Sequence, residues 1–294
     1  MVPCRARKFT GRMTEKTAGT KDMTVLVTGA TGRTGSRVAE AARAAGLTVR
    51  AGSRSQGTRF DWTDRSTWPD ALRGADAAYL AHPTDVGSPA ATEAVGALAR
   101  EAVALGVRRL VLLSARGEER ARPTEDALRT SGADWTVVRA AWFAQNFSEG
   151  PLVEGLVHGE LVFPAGEVRE PFVDVRDIAD VVVAALTSGD RYAGQDLTLS
   201  GARLLTFREA VAEISAATGA ELTYTPVTAR QYGDTLAGFG VPAQEADLLV
   251  EVFEELLDGR NAHLSDGVQQ VLGRAPRDFT EFVREAAAAG VWKA

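Results

Sequence analysis

Three glycines bend the chain where a short apolar strand meets an amphipathic stretch, in Val25-Leu-Val-Thr-Gly29-Ala-Thr-Gly32-Arg-Thr-Gly35. Few folds accept that arrangement. Gly29 permits a tight turn, Gly32 lets backbone approach a bulky anion, and Gly35 lets the following helix lie close on the strand. The helix then offers free N–H groups at the positive end of its dipole. Thr31, Arg33 and Thr34 complete the turn, and Arg33 brings a positive charge to it. Placement between strand and helix is what turns a loose glycine pattern into a diphosphate-binding mechanism.

From Met23 onward, β-branched runs alternate with helical periodicity, the pattern of a parallel sheet with crossover helices. Strands are expected at Thr24–Thr28, Thr48–Ser53, Ala77–Ala81, Leu110–Ser114, Trp135–Arg139 and Asp196–Ser200. Helices are expected at Gly32–Ala45, Pro89–Leu105, Asp177–Thr187, Phe207–Thr218 and Phe279–Ala289, with an interrupted helical stretch over Thr228–Leu257. This predicts an α/β chain: a Rossmann-like, doubly wound parallel sheet with a smaller C-terminal substrate-covering lobe. The expected division is a basic, disordered tail over 1–22, a dinucleotide domain over 23–147, and a mixed α/β lobe over 148–294 interleaved with the last strands of the sheet.

The end of the second strand selects the dinucleotide. No Asp or Glu lies between Glu40 and Asp61, so no carboxylate is available there for the ribose hydroxyls of NAD. Instead Arg54, flanked by Ser53 and Ser55, offers a forked cation to a 2′-phosphate. NADP(H), bound as NADPH for reduction, is the expected cofactor. Asp61 of Phe60-Asp61-Trp62 either accepts from the adenine amine or caps the next helix. Ala81-His82-Pro83 should line the ribose and diphosphate, and backbone at Arg139-Ala140 should hold the carboxamide.

The glycine turn, Leu113-Ser114-Ala115-Arg116, the stretch Glu125–Arg129 with Ser131-Gly132, Trp135-Thr-Val-Val-Arg139-Ala-Ala-Trp-Phe143-Ala-Gln-Asn146-Phe147 and Phe172-Val-Asp174-Val-Arg-Asp177-Ile-Ala-Asp180 together resemble the NmrA-like atypical short-chain dehydrogenase/reductases. The likeness runs from about Met23 to Ser200. It is strongest to ergot-alkaloid-type reductases and to ketoreductases of antibiotic pathways of the simocyclinone type. The resemblance implies NADP(H) binding and leaves the substrate open, because the group also holds non-catalytic dinucleotide sensors. Ser114 takes the place of that group's active-site serine.

Against the wider superfamily, one part is missing. Ordinary short-chain reductases protonate the substrate through a tyrosine tuned by a lysine four residues on. Here lysine occurs only at positions 8, 16, 21 and 293, so none of Tyr79, Tyr192, Tyr224 or Tyr232 has that partner. Ser114 alone is a hydrogen-bond donor and not a proton reservoir. Three acceptors remain open: a ketone of a polycyclic secondary metabolite that polarises its own carbonyl, an iminium that needs no proton, or no acceptor at all in a redox sensor. A flat substrate would want the aromatic turn Trp142, Phe143 and Phe147 as walls, with Gln145 and Asn146 as polar contacts.

Composition narrows the partners. Net charge is −6, and the first 22 residues hold six basic and two acidic side chains, so the body is more acidic still and suits no nucleic acid. One cysteine and three scattered histidines argue against a metal centre. Apolar runs are strand-sized, far short of a membrane span. The expectation is a cytoplasmic enzyme, monomer or homodimer, acting on a small molecule.

Overall fold

The computed structural model describes residues 23–150 and 152–293; the tail expected over 1–22 lies outside the described residues. The chain runs through β1 (Thr24–Thr28), α1 (Arg33–Ala44), β2 (Thr48–Ser53), β3 (Thr58–Arg59), α2 (Trp68–Leu72), β4 (Ala77–Leu80), α3 (Pro89–Ala104), β5 (Arg109–Ala115), α4 (Arg122–Arg129) and β6 (Asp134–Ala140). It continues through α5 (Asn146–Glu149), α6 (Val153–Val157), β7 (Glu160–Phe163), β8 (Arg169–Glu170), α7 (Val175–Thr187) and β9 (Gln195–Leu199). Last come β10 (Leu205–Thr206), α8 (Phe207–Thr218), β11 (Thr223–Pro226), α9 (Ala229–Gly238), α10 (Ala243–Leu256), α11 (Gly267–Leu272) and α12 (Phe279–Ala288).

Seven strands form one sheet in the order β3-β2-β1-β4-β5-β6-β9, every pair parallel. The order reverses between β1 and β4, which opens a crevice at the carboxyl ends of those strands. Period-2 alternation decides which side each residue covers. Val25 and Val27 pack with Val38, Val181 and Val182 beneath α1 and α7. Leu26 faces the other way, among Trp68, Leu98 and Leu128 beside α2 to α4.

A third core lies apart from the sheet. Phe147, Phe163, Phe172, Phe207 and Phe279 interlock through edge-to-face and tilted pairs in equal number, with centroids 5.1–5.7 Å apart. Such pairs add about 0.5–1.5 kcal/mol each beyond their burial. Two small sheets, β7 with β11 and β8 with β10, frame this lobe. Although β9 follows β7 and β8 in sequence, it returns to the main sheet beside β6, tying the lobe to the frame. Among the described residues, no helix is long and apolar enough to cross a membrane.

Candidate active site

At the crevice, β1 ends in Gly29 with φ of 61°, a left-handed conformation that glycine adopts without strain. Gly32, at φ −86° and ψ 175°, begins α1 with no side chain capping it, which leaves the positive helix end to a ligand. A Cβ on Gly35 would land on the Gly29 carbonyl and within 3.0 Å of Thr28 O. The three glycines therefore form a bare-backbone cradle whose shape fits a diphosphate.

Arg54 and Ser55 stand exposed just beyond β2, on the side where a 2′-phosphate would lie. Ser53 does not join them. Its buried hydroxyl closes the turn by accepting from Gln56 N at 2.8 Å and donating to Gln56 O. Asp61 accepts from Thr63 N and Oγ1, and these hydrogen bonds hold its carboxyl below the usual range. The cap of the following 3₁₀ turn is Asp64, not Asp61. Trp62 is buried, donates to Ala81 O at 3.0 Å and meets His82 edge-on at 5.1 Å. His82 is half-buried, and desolvation lowers its pKa, which keeps the imidazole neutral near pH 7. Pro83, next along, is exposed.

A cavity of about 320 Å³ opens from this crevice. Ser114, Ala140 and Ala141 form its floor at the ends of β5 and β6. Trp142, Phe143 and Phe253 are among its walls, and Val252 and Leu256 of α10 close one side. Arg33 also lines it, its guanidinium bonded to Asn146 Oδ1 and 5.9 Å from the Phe143 ring centre. None of the four tyrosines lines the cavity. Tyr79 is wholly buried, and burial raises its phenol pKa further still.

Two residues expected at the cavity lie elsewhere. Phe147 is fully buried in the aromatic lobe core, among Phe172, Phe207 and Phe279. The four-residue turn of α5 points it inward, away from the crevice. Gln145 is buried too: its amide donates to Asp174 at 3.0 Å and accepts from Val175 N at 2.9 Å, bracing the start of α7. Trp142, Phe143 and Asn146 from the same turn do line the cavity, joined by Phe253 from α10.

Ser114 reaches the cavity, but its one hydroxyl proton goes to Glu125 Oε1 at 2.7 Å. Glu125 is 1% exposed. Arg139 holds it through Nε at 2.8 Å and through a second contact, and Arg129 adds a bond at 3.1 Å. Burial pushes the Glu125 carboxyl up, yet the Arg139 and Ser114 bonds and the two cations outweigh it and keep it ionised. With its proton committed, Ser114 presents lone pairs to the cavity. Arg139 serves here with its side chain; its backbone belongs to the ladder between β5 and β9. Ala140 O accepts from Arg116 N at 3.0 Å.

In the sequence, Glu125 and Arg116 stand only as landmarks of the family resemblance, with no role of their own, and nothing marks Glu118. Arg116 is 5% exposed, lines the cavity, donates to His263 O at 2.7 Å and has a second buried nitrogen, Nη1, without a partner. No group of three potential metal ligands occurs among the described residues.

Fold, glycine cradle and cleft together define a dinucleotide-dependent protein of the short-chain dehydrogenase/reductase type. The sequence profile of the NmrA-like family matches residues 21–283, and the chain belongs to that family. It is 32% identical over 291 residues to the (4-alkanoyl-5-oxo-2,5-dihydrofuran-3-yl)methyl phosphate reductase of Streptomyces griseus, covering 90% of this chain and 98% of that protein. It is 31% identical over 296 residues to agroclavine dehydrogenase of Claviceps purpurea, covering 92% and 99%. Among solved structures, the NADPH complex of an Escherichia coli NADPH-dependent quinone oxidoreductase superposes with a TM-score of 0.72 at 22% identity, over 90% of this chain and 99% of that one. The protein is an NAD(P)H-dependent oxidoreductase of the atypical short-chain kind.

Proposed function

We propose that the protein is an NADPH-dependent ketoreductase acting on a carbonyl of a flat, polycyclic secondary metabolite. Residues 23–147 would hold the dinucleotide, and residues 148–294 would cover the substrate. The reading rests chiefly on the aromatic cleft, where Trp142, Phe143 and Phe253 flank a floor that carries Ser114. Flat rings match such walls in both shape and polarity.

When bound, the reduced nicotinamide supplies the hydride. The chain's own residues do the rest. The amides of the Gly29–Gly35 turn hold the diphosphate, and Arg54 with Ser55 grips the 2′-phosphate that distinguishes NADPH from NADH. Ala81 and His82 flank the ribose, with Trp62 fixing both from behind. Ala140 and Ala141, on the cavity floor, would lie beside the carboxamide. Ser114, its proton tied to Glu125, accepts a hydrogen bond from a cofactor or substrate hydroxyl and so fixes orientation. Phe253 and Leu256 exclude water from the reacting face.

The test is NADPH oxidation against a panel of polycyclic aromatic ketones and cyclic iminium ions, with calorimetry of NADPH binding alongside. Turnover of ketones supports the reading. Turnover of iminium ions alone replaces it with C=N reduction, and binding without any turnover removes it.

A further inference from the structure

A ketone that gains a hydride must also gain a proton, and neither a tyrosine nor Ser114 can give one here. Three residues past the end of β5, Glu118 turns back into the same cavity that Ser114 floors. It is 8% exposed, and no donor from the rest of the protein pairs with its buried Oε1. The absent side chain of Gly87 makes room for it, since a Cβ there would strike that same oxygen. We propose that Glu118 is the general acid of this reductase, donating its carboxyl proton to the oxygen of the reduced carbonyl. The inference rests on the ketoreductase reading above.

The groups around Glu118 explain why it would hold a proton at neutral pH. Asp85, in the loop after β4, lies within hydrogen-bonding reach. Asp85 is itself fixed by Gly87 N at 2.8 Å and Arg120 at 3.1 Å. Glu255, from the end of α10, adds a second negative charge and accepts from Glu119 N at 3.1 Å. Arg120 is the opposing cation, and it is shared with Asp85 and with Glu251 at 3.6 Å. His82 and Arg116 face the same cavity. Burial first, then the hydrogen bond and charge of Asp85, push the Glu118 carboxyl up to about 8.

The step balances. The C=O π pair moves onto oxygen as the carbon takes the hydride of NADPH with its two electrons. The Glu118 O–H bond breaks, an alcohol O–H bond forms, and Glu118 is left as a carboxylate. Solvent at the open side of the cleft restores its proton before the next turnover.

The experiment compares wild type with Glu118→Gln, which keeps shape and removes the proton. For ketones, kcat/KM should fall by about 10²- to 10⁴-fold, the range of general acid catalysis. NADPH affinity should stay within about twofold, and turnover of a preformed iminium ion within about threefold, because those need no acid. Wild-type kcat/KM should be flat below about pH 8 and fall above it; Glu118→Gln should lack that limb. In the cofactor-free protein, ¹³C titration should show the Glu118 carboxyl protonated at pH 7. An unchanged ketone rate, an equal loss on both acceptors, or a Glu118 carboxyl already ionised at pH 6 overturns the proposal. Wild type that binds NADPH yet reduces no ketone overturns the ketoreductase reading itself, a result visible without any variant.

Discussion

Glu170 is the sharpest test of the packing described here. The residue ends β8, is 0% exposed, and has no hydrogen-bond partner at either carboxyl oxygen. Arg116 acts on it through charge alone, and Asp258 opposes that help. Burial dominates and pushes the carboxyl from an ordinary 4.5 up to about 8. In the unfolded chain the same group ionises near 4.5, so between these values the folded state binds more protons. Stability contributed by the neutral acid is therefore complete below about pH 4.5 and is lost as pH rises through 8.

Integrated from about pH 5.5 to pH 8.5, that linkage weakens the fold by on the order of 3 kcal/mol. At roughly 2 °C per kcal/mol for a chain of this size, it corresponds to about 6 °C in Tm. Glu170→Gln removes the titration while keeping the shape. Whatever fixed penalty the amide brings is the same at both pH values, and the shift of Glu118 is common to both proteins, so each cancels from the comparison. Paired thermal melts should show the variant gaining about 6 °C on wild type between pH 5.5 and 8.5. A gap between the two proteins that stays constant within a degree would refute the reasoning.

Other perturbations separate cradle, cofactor choice and bracing. Gly35→Ala should push α1 away from β1, destabilise by about 1–3 kcal/mol as an overpacked site, and weaken NADPH more than tenfold by calorimetry. Arg54→Ala should weaken NADPH by about 10- to 100-fold, the worth of a charge-assisted pair, and leave NADH within about twofold; equal loss of both nucleotides would remove the 2′-phosphate role. Glu125→Gln strips the charge that Arg139 and Arg129 share. Since both arginines keep Asp196, at 3.2 and 2.8 Å, the loss should fall near the lower end of about 3–5 kcal/mol for a broken buried pair, read as a drop in Tm.

The central strands were legible because each is a brief β-branched run closed by glycine or polar residues, and α8 over Phe207–Thr218 carries both an apolar stripe and a capping box. Helix α4 was not. Its sequence Arg-Pro-Thr-Glu-Asp-Ala-Leu-Arg has little apolar face; it is held by polar bonds that tie Glu125 to Ser114 of β5 and Arg139 of β6, and Arg129 to Asp196 of β9. Pro123 in its first turn was the one local signal. The β7–β11 pairing joins residues some 60 apart through short, half-exposed strands, and no local pattern encodes such a register. Phe147 and Gln145 went astray because a four-residue helical turn sends neighbours to opposite sides. Glu118 and Glu170 read as ordinary acidic residues until α10 and β8 shut water away from them.

One side of the cleft comes from α10, which packs against α9, while everything that would grip the dinucleotide comes from strand ends and the first helix. That part of the acceptor wall is thus a stretch of polypeptide separate from the nucleotide seat. New acceptors can be admitted by recutting Val252, Phe253 and Leu256 while the nucleotide seat stays intact, which makes this helix the natural target for redesign.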